Sequence, residues 1–211
     1  MLNVELEKYL ESHTSNEDNI LKLLDRETNL KTTLPRMLSG KVQGKFLELI
    51  SKMVNPKRIL EIGTFTGYSA ICLSKGLKLD GQLITIESNE ELEDIIRKYI
   101  DLSGLSHKIN LIIGDALVEI PKLDNKFDLA FIDANKEQYV DYYLLVKEKL
   151  RPGGFIIVDN VLWNGKVIKN ENSDKETLAI QNFNNYIIND KDIEQVMIPI
   201  RDGLLLIRKL F

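Results

Sequence analysis

The chain of 211 residues carries 28 Lys plus Arg against 32 Asp plus Glu, and 44% of its residues are apolar. That content supplies one substantial core, and the length is short for two, so a single domain over 1–211 is expected, with a helical segment at 1–55 ahead of an α/β core at 57–211. The near balance of charge offers no broad basic face to follow a phosphate backbone, and no run is long and apolar enough to span a bilayer, which argues against nucleic acid and membrane as partners.

The first 55 residues read as helical. Residues 1–10 mix Glu5, Glu7 and Lys8 with apolar residues and lack the basic-then-apolar order of a secretory signal. Ser15-Asn16-Glu17-Asp18 is a helix start before the apolar residues at 20–24, and Pro35 marks a break. From Lys57 onward, short β-rich runs alternate with stretches of helical periodicity. The strands expected are RILEI (58–62), QLITI (82–86), INLII (109–113), FDLAFID (127–133) and GFIIVDN (154–160), with helices at about 67–79, 89–103, 115–120 and 136–149. This order predicts a doubly wound, Rossmann-like sheet that is mostly parallel. EQVMIPI (194–200) and LLLIRKLF (204–211) are too close for a parallel crossover, so they are expected as an antiparallel hairpin at the sheet edge. The segment 164–176 is polar and reads as a mobile loop. Cys72, the sole cysteine, falls in an apolar periodic segment and reads as a buried thiol in a reducing, cytoplasmic setting. His13 and His107 lie outside every motif.

In an open α/β sheet, ligands bind beyond the carboxyl ends of the strands. Those positions are acidic five times here: Glu61, Glu87, Asp115, Asp133 and Asp159. Any one of them has a bland role as a helix cap or a solvated strand end. Five on one rim require a cation or many hydrogen-bond donors. The first sits in EIGTFTGYS (61–69), where Gly63 and Gly67 permit a tight turn and a close backbone approach to a ligand. Phe65 and Tyr68 break the GxGxxG spacing of a pyrophosphate-binding turn. Glu87, at the end of the next strand, is placed to accept both ribose hydroxyls of an adenosine, a role that does not distinguish a nicotinamide from a sulfonium cofactor.

PRMLSGKVQGKFL (35–47), EIGTFTGYS (61–69), IES (86–88), GDA (114–116), FIDANKEQY (131–139), DNVLWNG (159–165) and DGLLLIRK (202–209) together resemble the cation-dependent O-methyltransferases of the catechol and caffeoyl-CoA type. The resemblance implies S-adenosylmethionine as cofactor. Glu61 and Gly63 would lie against its methionine and sugar part, Ser69 near its carboxylate, Glu87 on its ribose and Asp115 with Ala116 at its adenine. Ser39 would contact it from the N-terminal segment, and Asp133 would border it. The resemblance also implies a divalent cation on Asp133, Asp159 and Asn160, a general base at Lys136 and a homodimer. Three oxygen ligands suit Mg²⁺ foremost, with Ca²⁺ or Mn²⁺ as alternatives, and leave positions for two neighbouring acceptor hydroxyls. A phenol with a pKa near ~10 is mostly protonated at neutral pH, and a cation addresses that deficit.

Competing plain roles exist for each residue: Asp133 as a helix cap, Asp159-Asn160 as an Asx turn, Lys136 as a solvated charge. Trp163, in the loop after the ligands, reads equally as a wall for an aromatic acceptor or as core or lid packing, and Tyr139 stands out beside it without an assigned role. A nicotinamide-dependent oxidoreductase and a non-catalytic adenosine-binding protein are the rival functions. The acceptor is expected to be a small aromatic; catechols, caffeoyl-CoA-like thioesters, flavonoids and hydroxylated nucleosides in RNA stay open, the last least favoured by charge.

Overall fold

A computed structural model describes residues 4–124, 126–168 and 174–211. Helices α1 (Val4–Ser12), α2 (Asn19–Lys31) and α3 (Gly40–Val54) lead into the sheet. Asp18 is the N-cap of α2, as the sequence predicts, although its carboxylate is taken by Lys75 at 2.5 Å rather than by the helix's own N–H groups. Pro35 opens a short 3₁₀ turn at Pro35–Met37.

The strands are β1 (Arg58–Ile62), β2 (Gln82–Glu87), β3 (Ile109–Ile113), β4 (Phe127–Ile132), β5 (Leu150–Asp159), β6 (Ile193–Ile198) and β7 (Leu204–Lys209). They form a seven-stranded sheet in the order β3-β2-β1-β4-β5-β7-β6. The first five pair in parallel, whereas β7 is antiparallel to both β5 and β6. The expected hairpin is therefore present, with the last strand inserted beside β5 and β6 left as the edge. The hairpin turn explains the order: the Val161 and Leu162 N–H groups donate to the Gly203 and Asp202 carbonyls at 3.2 and 2.9 Å, which ties the turn to the chain leaving β5.

Helices α4 (Tyr68–Ser74), α5 (Glu93–Leu102), α6 (Ala116–Glu119), α7 (Tyr139–Lys149) and α8 (Lys175–Ile188) complete the layers. Alternation along each strand divides the core. Leu60, Ile62, Ala130, Ile132, Ile156 and Val158 pack with Tyr139, Tyr143 and Phe183 on one face. Ile59, Leu83, Leu129, Phe131 and Ile157 pack with Leu24, Leu47 and Ile71 on the other. Full burial of one such aliphatic side chain contributes about 1.5–3 kcal/mol.

Two boundaries and one helix depart most from the sequence reading. Helix α4 stops at Ser74 instead of running to 79, because the chain must pass at Gly76 against α3, where an added Cβ would sit 2.2 Å from the Ser51 carbonyl carbon. Strand β5 begins at Leu150, earlier than 154. Helix α8 has no counterpart among the expected elements; it begins within the segment read as a polar loop, of which residues 169–173 lie outside the described residues. Cys72 is buried, as expected, and burial pushes its thiol up to about 12. His13 and His107 are both exposed. No described helix is long and apolar enough to cross a membrane.

Candidate active site

The carboxyl ends of the parallel strands open into a crevice of about 2020 Å³. Its walls include Ser39, Gly63, Ser69, Glu87, Asp115, Ala116, Asp133, Lys136, Asp159 and Asn160, so ten of the eleven residues singled out from sequence meet at one surface. The eleventh, Glu61, is fully buried beneath it and does not reach the wall.

Glu61 faces Thr85 because the two are register partners across β1 and β2. The Thr85 hydroxyl donates to Glu61 Oε2 at 2.6 Å and in turn shares a 2.5 Å hydrogen bond with the Thr64 hydroxyl. Glu61 Oε1 has no partner among the described residues. Burial pushes this carboxyl up to about 7, with the Ser69 and Thr85 hydroxyls opposing and the Asp133 and Glu87 carboxylates adding to the rise.

The turn after β1 is drawn tight. Gly63 has φ of 91° and Phe65 of 51°. The Gly63 N–H donates to the Ile86 carbonyl at 3.0 Å, and the Asp133 N–H donates to the Ile62 carbonyl at 2.9 Å, so the ends of β1, β2 and β4 are held together. Glu87 accepts from the Phe65 N–H at 2.8 Å and the Asn89 N–H at 2.9 Å. Asp115 is the N-cap of α6 and accepts from the Leu117 N–H at 2.9 Å. The bland capping reading of Asp115 is thus realised, and its side chain still borders the crevice.

Beside these lies a charged floor. Lys136 Nζ donates to Asp133 Oδ1 at 2.8 Å and sits 5.0 Å from the centre of the Tyr139 ring. Burial works against the Lys136 charge, but the Tyr139 hydroxyl and the Asp133 carboxylate outweigh it and raise its pKa. Asp159 is 3% exposed; its Oδ2 accepts from Gln43 Nε2 at 2.5 Å and its Oδ1 from the Asn160 N–H at 2.7 Å. Burial, then the nearby Asp133 carboxylate, push Asp159 up to about 7. Asn160 adopts a left-handed φ of 61°, a conformation that Asn tolerates better than most residues.

Two carboxylates and one carboxamide on adjacent strand ends are hard oxygen ligands, and the mutual repulsion of Asp133 and Asp159 is what a divalent ion relieves. The residues therefore fit such an ion, although among the described residues no group of three His, Cys, Asp or Glu gathers at one point.

Tyr139 belongs to the core: it is buried, and its hydroxyl donates to the Asp159 carbonyl at 3.0 Å. Trp163 does line the crevice, with Lys136 and Lys166 each 6.0 Å from its ring and a buried indole N–H lacking a partner among the described residues. Three supporting residues escaped the sequence reading. Thr85 is inferable once Glu61 is known to face the next strand. Gln43 stands inside a quoted motif without a role. Arg201 carries no local signal.

The O-methyltransferase family's sequence profile matches residues 11–210. The chain is 30% identical over 197 residues to caffeoyl-CoA O-methyltransferase 5 of Nicotiana tabacum, covering 88% of this chain and 82% of that one. It is 31% identical to caffeoyl-CoA O-methyltransferase 2 of Populus trichocarpa, covering 88% and 80%. Among solved structures, the O-methyltransferase TomG of Streptomyces achromogenes, in complex with S-adenosylmethionine, superposes with a TM-score of 0.92 at 29% identity over the whole of both chains. An O-methyltransferase from Bacillus cereus, in complex with S-adenosylhomocysteine, gives 0.90 at 28% identity over 97% of each. With nearly its full length matched by the profile, the chain belongs to the O-methyltransferase family.

Proposed function

We propose that the protein transfers the methyl group of S-adenosylmethionine to a hydroxyl of a small aromatic acceptor with two adjacent hydroxyls, aided by a divalent cation. The observation that carries the reading is the convergence on one crevice of a polar wall with acceptors for a nucleoside and an oxygen-donor floor. Glu87, Asp115 and the Gly63 turn form the first; Asp133, Asp159 and Asn160 form the second. The cofactor supplies an already activated methyl on sulfonium sulfur. The cation, when bound, supplies Lewis-acid stabilisation of the acceptor oxyanion.

The remaining work belongs to the chain. Gly63 lets the backbone approach the nucleoside, and Glu87, oriented by the Phe65 and Asn89 N–H groups, accepts from the ribose hydroxyls. Asp133, Asp159 and Asn160 would hold the cation and so orient both acceptor oxygens. Lys136, kept charged by Asp133, contributes as a cation beside the acceptor oxygen and takes its proton on Nζ only from the minor unprotonated form. Trp163 supplies an apolar ring at the same wall. Holding both reactants in line contributes roughly 7–11 kcal/mol in favourable models.

Two measurements check this. Purified protein incubated with S-adenosylmethionine, Mg²⁺ and a 3,4-dihydroxy aromatic is expected to release S-adenosylhomocysteine and to stop on addition of a chelator; turnover indifferent to the chelator overturns the cation reading. For the nucleoside wall, Glu87→Ala is expected to weaken S-adenosylmethionine about 10–100-fold by calorimetry, the value of a charged hydrogen-bond pair. Unchanged affinity removes Glu87 from the site.

A further inference from the structure

We infer that Gln43 and Arg201 are positioning residues that fix the Asp159 carboxylate in its ligating orientation. The inference rests on the proposed cation role of Asp159, and neither residue touches the acceptor in that reading.

Gln43 lies on α3, is fully buried, and places Nε2 2.5 Å from Asp159 Oδ2. Arg201, in the β6–β7 turn, brings Nη1 to 3.5 Å from Gln43 Oε1, a long contact. These neighbours determine which way the amide faces. In its ligating form Asp159 is ionised and only accepts, and a guanidinium only donates, so Nε2 must face Asp159 and Oε1 must face Arg201. A reversed amide would set oxygen against carboxylate and NH₂ against guanidinium at once.

Arg201 is itself fixed. Its guanidinium donates to the Leu38 carbonyl at 2.7 Å, to the Arg36 carbonyl at 3.2 Å and to the Ser39 carbonyl. Its backbone sits at φ of 50°, inside a turn closed by the Gly203 N–H on the Ile200 carbonyl at 2.9 Å. A chain of donors thus runs from the C-terminal hairpin through α3 to a strand-end carboxylate. The same arginine anchors residues 36–39, which border the crevice. With Asp159 Oδ1 held by the Asn160 N–H, Gln43 fixes the second oxygen and hence the plane of the carboxylate. Groups that orient a metal ligand typically change metal affinity 10–100-fold when removed.

The test is Mn²⁺ binding to the full chain, followed by electron paramagnetic resonance, alongside calorimetry with S-adenosylmethionine. Gln43→Leu is expected to weaken Mn²⁺ about 10–100-fold with S-adenosylmethionine affinity held within about 2-fold. Arg201→Ala, on an exposed turn, is expected to weaken Mn²⁺ roughly several-fold, with partial recovery in Arg201→Lys. If Gln43→Leu fails to fold, the arginine pair carries the test. Mn²⁺ binding lost in Asp159→Ala but unchanged in folded Gln43→Leu or in Arg201→Ala overturns this inference alone. No Mn²⁺ binding by the wild-type chain overturns the cation reading and this inference with it.

Discussion

Replacing Asp159 by Asn is expected to lower kcat/KM by at least about 100-fold, the scale of losing one preorganised charge-stabilising group, and yet to stabilise the cation-free protein at pH 8. Asp159 is pushed from 3.8 up to about 7 by burial and by Asp133. The folded protein therefore keeps a proton that the unfolded chain has lost, and stability falls as pH rises through the window from about 4 to 7. Asn does not titrate, so the variant escapes that loss, which is on the order of a few kcal/mol. Part of the gain is cancelled. The amide has one oxygen to offer the two donors that now meet the carboxylate, Gln43 Nε2 and the Asn160 N–H, and one lost hydrogen bond costs about 1 kcal/mol. Glu61, also pushed up to about 7, leaves a residual pH dependence in the variant. Thermal melts of both proteins in chelator at pH 5 and pH 8 give the answer. The variant should gain on the wild type as pH rises, while Mg²⁺ should raise the wild-type Tm more at pH 8 than at pH 5. Parallel profiles for the two proteins would show that Asp159 is not strained by its burial.

The layered sheet was legible because its signals are local: β-rich runs at 58–62, 82–86 and 127–132 are almost wholly buried on both faces, and only a covered parallel sheet requires that, while 109–113, at the sheet edge, is buried only in part. The insertion of β7 between β5 and β6 was not legible, because it depends on the turn at Ile200–Gly203 binding the chain after β5 across some forty residues. Helix α8 did carry a signal. Asp174 caps it by accepting from the Thr177 N–H and hydroxyl, and Thr177, Ile180, Phe183 and Ile187 form its buried stripe. The polar residues around Asp174 masked that period. At the site, strand-end carboxylates stood out by type and position, whereas the groups that hold them did not. Glu61 shows the difference: strand position located it, but the burial that takes it off the crevice wall follows from side-chain alternation, which puts it on the face of Ile59 under α4. Gln43 and Arg201 act over sequence separations of 116 and 158 residues, beyond any spacing rule.

Gly63→Ala is expected to destabilise the fold by about 2–6 kcal/mol, combining left-handed backbone strain with overpacking, and to abolish methyl transfer in whatever fraction folds. At φ of 91° an L side chain is strained before it meets anything. The added Cβ would then lie 1.9 Å from the Asp133 carbonyl oxygen and 2.7 Å from its carbonyl carbon. Both are backbone atoms at the end of β4, and the Asp133 N–H is already bonded to the Ile62 carbonyl, so they cannot rotate away as a side chain would. Relief requires β1 and β4 to part where the crevice begins. Total stability of a domain is typically about 5–15 kcal/mol, so a loss at the upper end leaves little folded protein. A displacement near ~1 Å at Asp133 is enough to cost roughly 100-fold in rate. Gly67→Ala is the control, because φ is 94° there but the nearest atom to the new Cβ is Ile96 Cγ2 at 3.7 Å. It carries the strain without the collision and should fold with a loss of about 1–3 kcal/mol. Urea denaturation of the pair separates the two contributions. Equal losses at both positions would mean that the strand ends yield freely, and that the close approach of Gly63 to Asp133 does not set the geometry of the site.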